Sequence, residues 1–119
     1  MPHTVLYAED HQVVADAVKQ TLEAEGLRVV MCADGAVALR KISSSTHYDL
    51  FIVDNHLPNV NGLELVGYIR HLPHRKTIPI IMLSASDAQK EAYQAGVDVY
   101  LKKPEDVGVL VRFVNQLIR

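Results

Sequence analysis

A single cysteine, Cys32, excludes any internal disulfide in this 119-residue chain. That fits a reducing compartment. Because Cys32 follows Val29-Val30-Met31, a buried and unreactive thiol is expected. No apolar run is long enough to span a bilayer, and the N-terminus lacks a signal-peptide pattern, so the chain reads as cytoplasmic. Charge of either sign is scarce in net terms. A formal charge of −2 gives no general attraction to nucleic acid or to an anionic membrane. Repeats, linkers and low-complexity segments are also missing, which leaves residues 1–119 as one domain.

What remains is ordinary globular material, 49% hydrophobic and 22% charged, arranged in an alternating pattern. Short apolar runs occupy residues 4–8, 28–32, 49–53, 78–83 and 98–101. Their continuous Val, Ile and Leu content, rather than strict alternation, predicts strands covered on both faces, as in a parallel sheet. Pro79 near the start of the fourth run is tolerable there. Amphipathic stretches fill the gaps. Residues 12–25 place Val14, Val18, Thr21 and Leu22 on one face, with Gly26 as the stop. Helical spacing recurs over Gly35–Ser44, Gly62–His71 and Asp87–Ala95. A final helix carries the stripe Val107, Leu110, Val111, Val114, Leu117 and Ile118. Val109 and Phe113 stand off that stripe, either as a homodimer face or as the edge of the core. Five strands alternating with five helices predict an α/β fold with a doubly wound parallel sheet.

In such sheets, ligands bind at the carboxyl ends of the strands. Acids stand at those ends: Glu9 and Asp10 after the first strand, Asp54 after the third. Asp10 could also cap the first helix. Ser84 follows the fourth strand and Lys103 the fifth. Together these residue types suit phosphoryl transfer onto a carboxylate, because an aspartate can attack phosphorus and form an acyl phosphate. The reaction needs alignment and charge neutralisation rather than elaborate covalent chemistry. The three acids carry three negative charges and would repel a phosphate. One divalent cation together with Lys103 restores neutrality. Mg²⁺ suits the site because it is hard, octahedral and content with one or two carboxylates plus waters. Asp10 and Asp54 are the candidate direct ligands, with Glu9 acting through a water. Lys103 and the Ser84 hydroxyl would contact phosphoryl oxygens.

Four segments, in order, carry a resemblance: Val5-Leu6-Tyr7-Ala8-Glu9-Asp10; Val53 through Gly62; Ile80-Ile81-Met82-Leu83-Ser84-Ala85; and Tyr100-Leu101-Lys102-Lys103-Pro104. The chain resembles, along its full length, the receiver domain of two-component response regulators. The resemblance implies a flavodoxin-like strand order of 2-1-3-4-5. It implies that Asp54 accepts a phosphoryl group from the phosphohistidine of a sensor histidine kinase or phosphotransfer protein, with Mg²⁺ bound. Glu9, Asp10, Asp54 and the backbone carbonyl of His56 match the metal ligands. Ser84 and Lys103 match the phosphoryl-contacting pair, and Tyr100 the aromatic switch residue. Lys102 is read as a solvated neighbour. The positions of His56 and Ser86 tend to tune phosphate lifetime in the family; from the residues alone, Ser86 reads as an ordinary loop hydroxyl.

Three positions depart from the family pattern: Glu9 replaces the commoner Asp, Leu57 a frequent Met, and Glu105 an aromatic after Pro104. The last puts the packing of that loop in question. The resemblance implies self-phosphorylation and self-dephosphorylation rather than enzymatic turnover. An aspartate-nucleophile phosphatase would want a second acid two positions after Asp54, where His56 stands. A pseudo-receiver would be a binding platform that is never phosphorylated. His71 and His74 have ligand-like spacing, but Pro73 lies between them and Arg70, Arg75 and Lys76 surround them, which predicts a solvated loop. That basic cluster is too short to predict nucleic-acid binding by this domain alone. The output is not legible: a free-standing regulator and a receiver cut from a transcription factor or hybrid kinase both fit.

Overall fold

The structure, a computed structural model, describes residues 2–118. Five parallel strands are β1 (Thr4–Ala8), β2 (Arg28–Cys32), β3 (Leu50–Val53), β4 (Ile80–Ser84) and β5 (Val99–Lys102), in the spatial order β2-β1-β3-β4-β5. The intervening helices are α1 (Gln12–Ala24), α2 (Gly35–Ser43), α3 (Gly62–His71) and α4 (Gln89–Ala95). A 3₁₀ turn at Val107–Val109 leads into α5 (Leu110–Ile118). This is the expected doubly wound, flavodoxin-like α/β fold. Among the described residues, no helix is long and apolar enough to cross a membrane.

The pleat sorts side chains into two layers. Leu6, Ala8, Phe51, Val53, Ile80 and Met82 face α2, α3 and α4. Val5, Tyr7, Leu50, Ile52, Ile81 and Leu83 face α1 and α5. All of β3 and β4 is buried, so those strands read as continuous apolar runs. Each fully buried Leu, Ile or Phe contributes about 1.5–3 kcal/mol. This rigid centre fixes where the strand ends deliver their acids.

Helix phase departs from expectation in α1. Ala15, Val18 and Leu22 are the buried face, while Thr21 is exposed and its hydroxyl donates to the Ala17 carbonyl at 3.0 Å. The small Ala15 carries little hydropathy, so the sequence pattern rotates the stripe onto Thr21. His11, not Asp10, caps this helix, its Nδ1 accepting from the Val14 N–H. Gly26, at φ 84, follows the helix as expected, in the left-handed region that glycine tolerates. Val109, in the 3₁₀ turn, and Phe113, in α5, are partly buried against the second core layer, as an edge of the core stripe would be.

The basic cluster after α3 is mostly structural. Arg75 is buried, donating to the carbonyls of Ile42 and Ser44 at 3.1 and 2.9 Å. Its guanidinium lies 4.9 Å from the centroid of the Tyr48 ring, a cation–π contact. Arg70 ties the Gly96, Lys76 and Ile78 carbonyls to Asp98. His71 and His74 hydrogen-bond the carbonyls of Gly67 and Ser44. Among the described residues, neither belongs to a group of three or more His, Cys, Asp or Glu side chains that could hold a metal.

Candidate functional site

Parallel winding brings the ends of β1, β3 and β5 to one rim. There a cleft of about 360 Å³ is lined by Glu9, Asp10, His11, Asp54 and Lys103, among others. A larger hollow of about 600 Å³ lies at the opposite ends of the strands, around His3, Arg28 and Asp49, and has no converging acids. Glu9, Asp10 and Asp54 each offer a carboxylate oxygen within 4.8 Å of the others, and among the described residues no other such group occurs. Glu9 and Asp54 are buried, at 1% and 5% exposure, whereas Asp10 faces solvent.

Lys103 binds the two buried acids together, its Nζ 2.6 Å from Glu9 Oε1 and 2.9 Å from Asp54 Oδ2. The other Asp54 oxygen accepts the His56 N–H at 3.2 Å. Burial works to raise the Asp54 carboxyl. Hydrogen bonds from Glu9 and Lys103, the lysine charge and the His56 N–H outweigh it and hold Asp54 below the ordinary aspartate value. Burial raises Glu9, and its hydrogen bond to Asp54 raises it further than Lys103 can lower it. Burial opposes the Lys103 charge as well, but the two acids prevail and hold the ammonium above the usual lysine value.

A stability consequence follows from Glu9. Its raised value means that the native state binds this proton more tightly than the unfolded chain does. The contribution is complete below the ordinary glutamate value and is lost as pH rises through the folded value. Asp54 behaves oppositely, and its contribution disappears only on acidification below the ordinary aspartate range. As pH rises from the ordinary glutamate value through the raised folded value, the metal-free protein is thus expected to lose melting temperature on account of Glu9. Saturating Mg²⁺ should flatten that decline by stabilising the ionised form. Parallel melting-temperature profiles with and without Mg²⁺ would contradict this.

The loop after Asp54 is braced by glycine contacts and by α2. Asp34 caps α2 through the N–H groups of Ala36 and Val37, and accepts from Asn59 Nδ2 at 2.5 Å. The Gly35 N–H donates to the Pro58 carbonyl, and Gly62 lies so close to β3 that a Cβ there would stand 2.2 Å from the Asp54 carbonyl oxygen. His56 sits in this loop, exposed, two residues beyond Asp54.

Ser84 does not line the cleft. It is fully buried at the end of β4, its hydroxyl 3.0 Å from that of Ser86. Tyr100 is buried on β5, its hydroxyl donating to the Ser86 carbonyl and lying 3.4 Å from the Ser86 hydroxyl. Ser86 therefore joins Ser84 to Tyr100 and is no ordinary loop hydroxyl. Lys102 pairs with Asp87 at the surface, 2.7 Å apart. Glu105 is exposed, and the loop after the cis Lys103–Pro104 peptide is held by Asp106, which bonds the Lys102 backbone in both directions.

Residues 5–115 match the model of the response regulator receiver domain. The chain belongs to that family. This receiver is 35% identical, over 97% of its length, to the alkaline phosphatase synthesis transcriptional regulatory protein SphR of Synechococcus elongatus, and covers 48% of it. The chain spans about half the length of several curated relatives it matches. Among solved structures, a putative response regulator from Chloroflexus aurantiacus superposes with a TM-score of 0.92 at 34% identity, covering 99% of this chain and 98% of that one. The receiver domain of a sensor histidine kinase from Pseudomonas aeruginosa superposes with a TM-score of 0.89 at 30% identity, with 99% and 98% covered. That structure holds a magnesium ion coordinated in its active site cleft.

Sequence reasoning missed four features of this receiver: the His11 cap, the Asp34–Asn59 brace, the Ser86 link and a hydroxyl from Tyr7 on Glu9. The Asp34-Gly35 pair before a helical stripe is a cap signature that could have shown the second.

Proposed function

We propose that this receiver accepts a phosphoryl group on Asp54 from the phosphohistidine of a sensor histidine kinase or phosphotransfer protein in the cytoplasm. The observation that carries the proposal is a buried Asp54 carboxylate held ionised, 2.9 Å from Lys103, in a cleft with two further acids. An Asp54 oxygen forms a bond to phosphorus as the phosphorus–nitrogen bond of the donor breaks. The product is an acyl phosphate, and the imidazole leaves with the electron pair.

The donor set consists of hard oxygens only, which fits Mg²⁺. Glu9, Asp10, Asp54 and the His56 carbonyl would hold it, and when bound it neutralises charge on the transferring phosphoryl oxygens. Lys103 serves the same end from the other side and would leave Glu9 for a phosphoryl oxygen. Ser84 donates to another oxygen once its hydroxyl turns from Ser86. Because Ser86 also holds Tyr100, that turn disturbs the aromatic residue and biases a two-state partner-binding face. The chain phosphorylates and dephosphorylates itself without being a turnover enzyme.

Incubation with acetyl phosphate and Mg²⁺ should add a single phosphoryl group, and chelation of the metal should stop the addition. Sustained phosphate release from a phosphomonoester would favour a phosphatase instead. Absence of Mg²⁺ binding would favour a pseudo-receiver.

A further inference from the structure

Tyr7 is fully buried in β1, between Met31 of β2 and Ile52 of β3, in the layer that faces α1 and α5. A phenylalanine would fill that space equally well, so the hydroxyl needs its own explanation. A buried O–H without an acceptor is costly, and here the acceptor is Glu9 Oε1, 3.3 Å away. Residues two apart on an extended strand share a face, which is how Tyr7 reaches Glu9. The phenol O–H donates and the Glu9 carboxyl oxygen accepts.

Donors from three residues converge on this one carboxyl. Oε1 takes the Tyr7 hydroxyl and the Lys103 ammonium, and Oε2 takes the His11 N–H at 3.3 Å. Lys103 is required elsewhere during phosphoryl transfer. When it leaves, Tyr7 is the remaining donor on Oε1. Glu9 has one more side-chain torsion than an aspartate and so more freedom to restrain.

We propose that Tyr7 is a positioning residue for Mg²⁺ binding: its hydroxyl fixes the Glu9 carboxyl in the orientation the ion requires. This rests on the reading of Glu9 as a metal acid. Tyr7 touches neither ion nor phosphoryl group, and its effect passes entirely through Glu9.

The test is a calorimetric Mg²⁺ titration of the wild-type chain, Tyr7→Phe, Glu9→Asp and the double variant. Loss of a partner that orients a metal ligand weakens affinity by about tenfold or more. Tyr7→Phe should therefore weaken Mg²⁺ binding about tenfold, while phosphoryl uptake at saturating Mg²⁺ stays within about twofold of wild type. In the Glu9→Asp background the carboxyl is one methylene shorter, and the same Tyr7→Phe change should cost less than about twofold. A second readout uses the wild-type chain alone: the ring carbon bearing the Tyr7 hydroxyl should shift in NMR on Mg²⁺ addition. Wild-type affinity retained in Tyr7→Phe, an equal loss in both backgrounds, or an unmoved Tyr7 signal would each overturn the proposal. A wild-type chain that binds no Mg²⁺ would overturn the metal reading itself, and this inference with it.

Discussion

Gly62→Ala is expected to destabilise the protein by about 3 kcal/mol, the upper part of the range for overpacking. The added Cβ would stand 2.2 Å from the Asp54 carbonyl oxygen and 2.8 Å from the Asn55 Cα. Both neighbours are backbone, so α3 or the end of β3 must move. On a typical stability of roughly 5–15 kcal/mol this is a large fraction, equivalent to about a 12 °C fall in melting temperature. The same displacement moves Asp54, the proposed acceptor, so phosphoryl uptake should fall with stability. Gly67→Ala, five residues further along α3, is the control. Nothing lies within 4 Å of a Cβ there, and replacing a helical glycine should add about 0.5–1 kcal/mol. Thermal melting of the two variants checks both signs. A Gly62→Ala protein within about 3 °C of wild type would show that α3 is not seated on β3 as described.

Lys103→Met should separate two roles of one cation. The variant keeps an apolar stem in a largely buried position and removes only the charge. Removing one preorganised group that stabilises developing charge costs about 100-fold or more in rate, so phosphoryl uptake should fall by about that factor. Metal affinity should move the other way. Lys103 neutralises Glu9 and Asp54 at 2.6 and 2.9 Å, and without it the acids present more negative charge to a cation. Slower uptake with tighter Mg²⁺ binding is the expected pair, measured by uptake kinetics and calorimetry. Weaker metal binding in Lys103→Met would mean that the lysine organises the metal acids rather than competing for them.

How far these features could be read beforehand depends on the range of the interaction. Buried strands announce themselves as apolar runs, and their acids stand at the carboxyl ends because parallel winding opens the cleft there. Boundaries shifted by only a residue or two, as at β3, which starts at Leu50 rather than at 49. The strand order itself came from the resemblance, since nothing local specifies which strand neighbours which. What escaped was mostly long-range and polar. Arg75 looked like part of a solvated cluster because its partners are backbone carbonyls of Ile42 and Ser44, which leave no mark in a sequence. Asp34 meets Asn59 across 25 residues, and Ser86 meets Tyr100 across 14. Tyr7 is different. It lies two residues from Glu9 on the same strand, and a phenol inside an otherwise aliphatic run was a signal within reach.

Central to this account is Asp54 as the phospho-acceptor, a charged residue at the end of an apolar strand with Lys103 and two acids beside it. The most direct measurement is intact-protein mass spectrometry after incubation with acetyl phosphate and Mg²⁺, on the wild-type chain and on Asp54→Asn. Wild type should gain the mass of one phosphoryl group, and Asp54→Asn should gain none while melting as a folded protein. No gain by wild type, or an equal gain by Asp54→Asn, would contradict it.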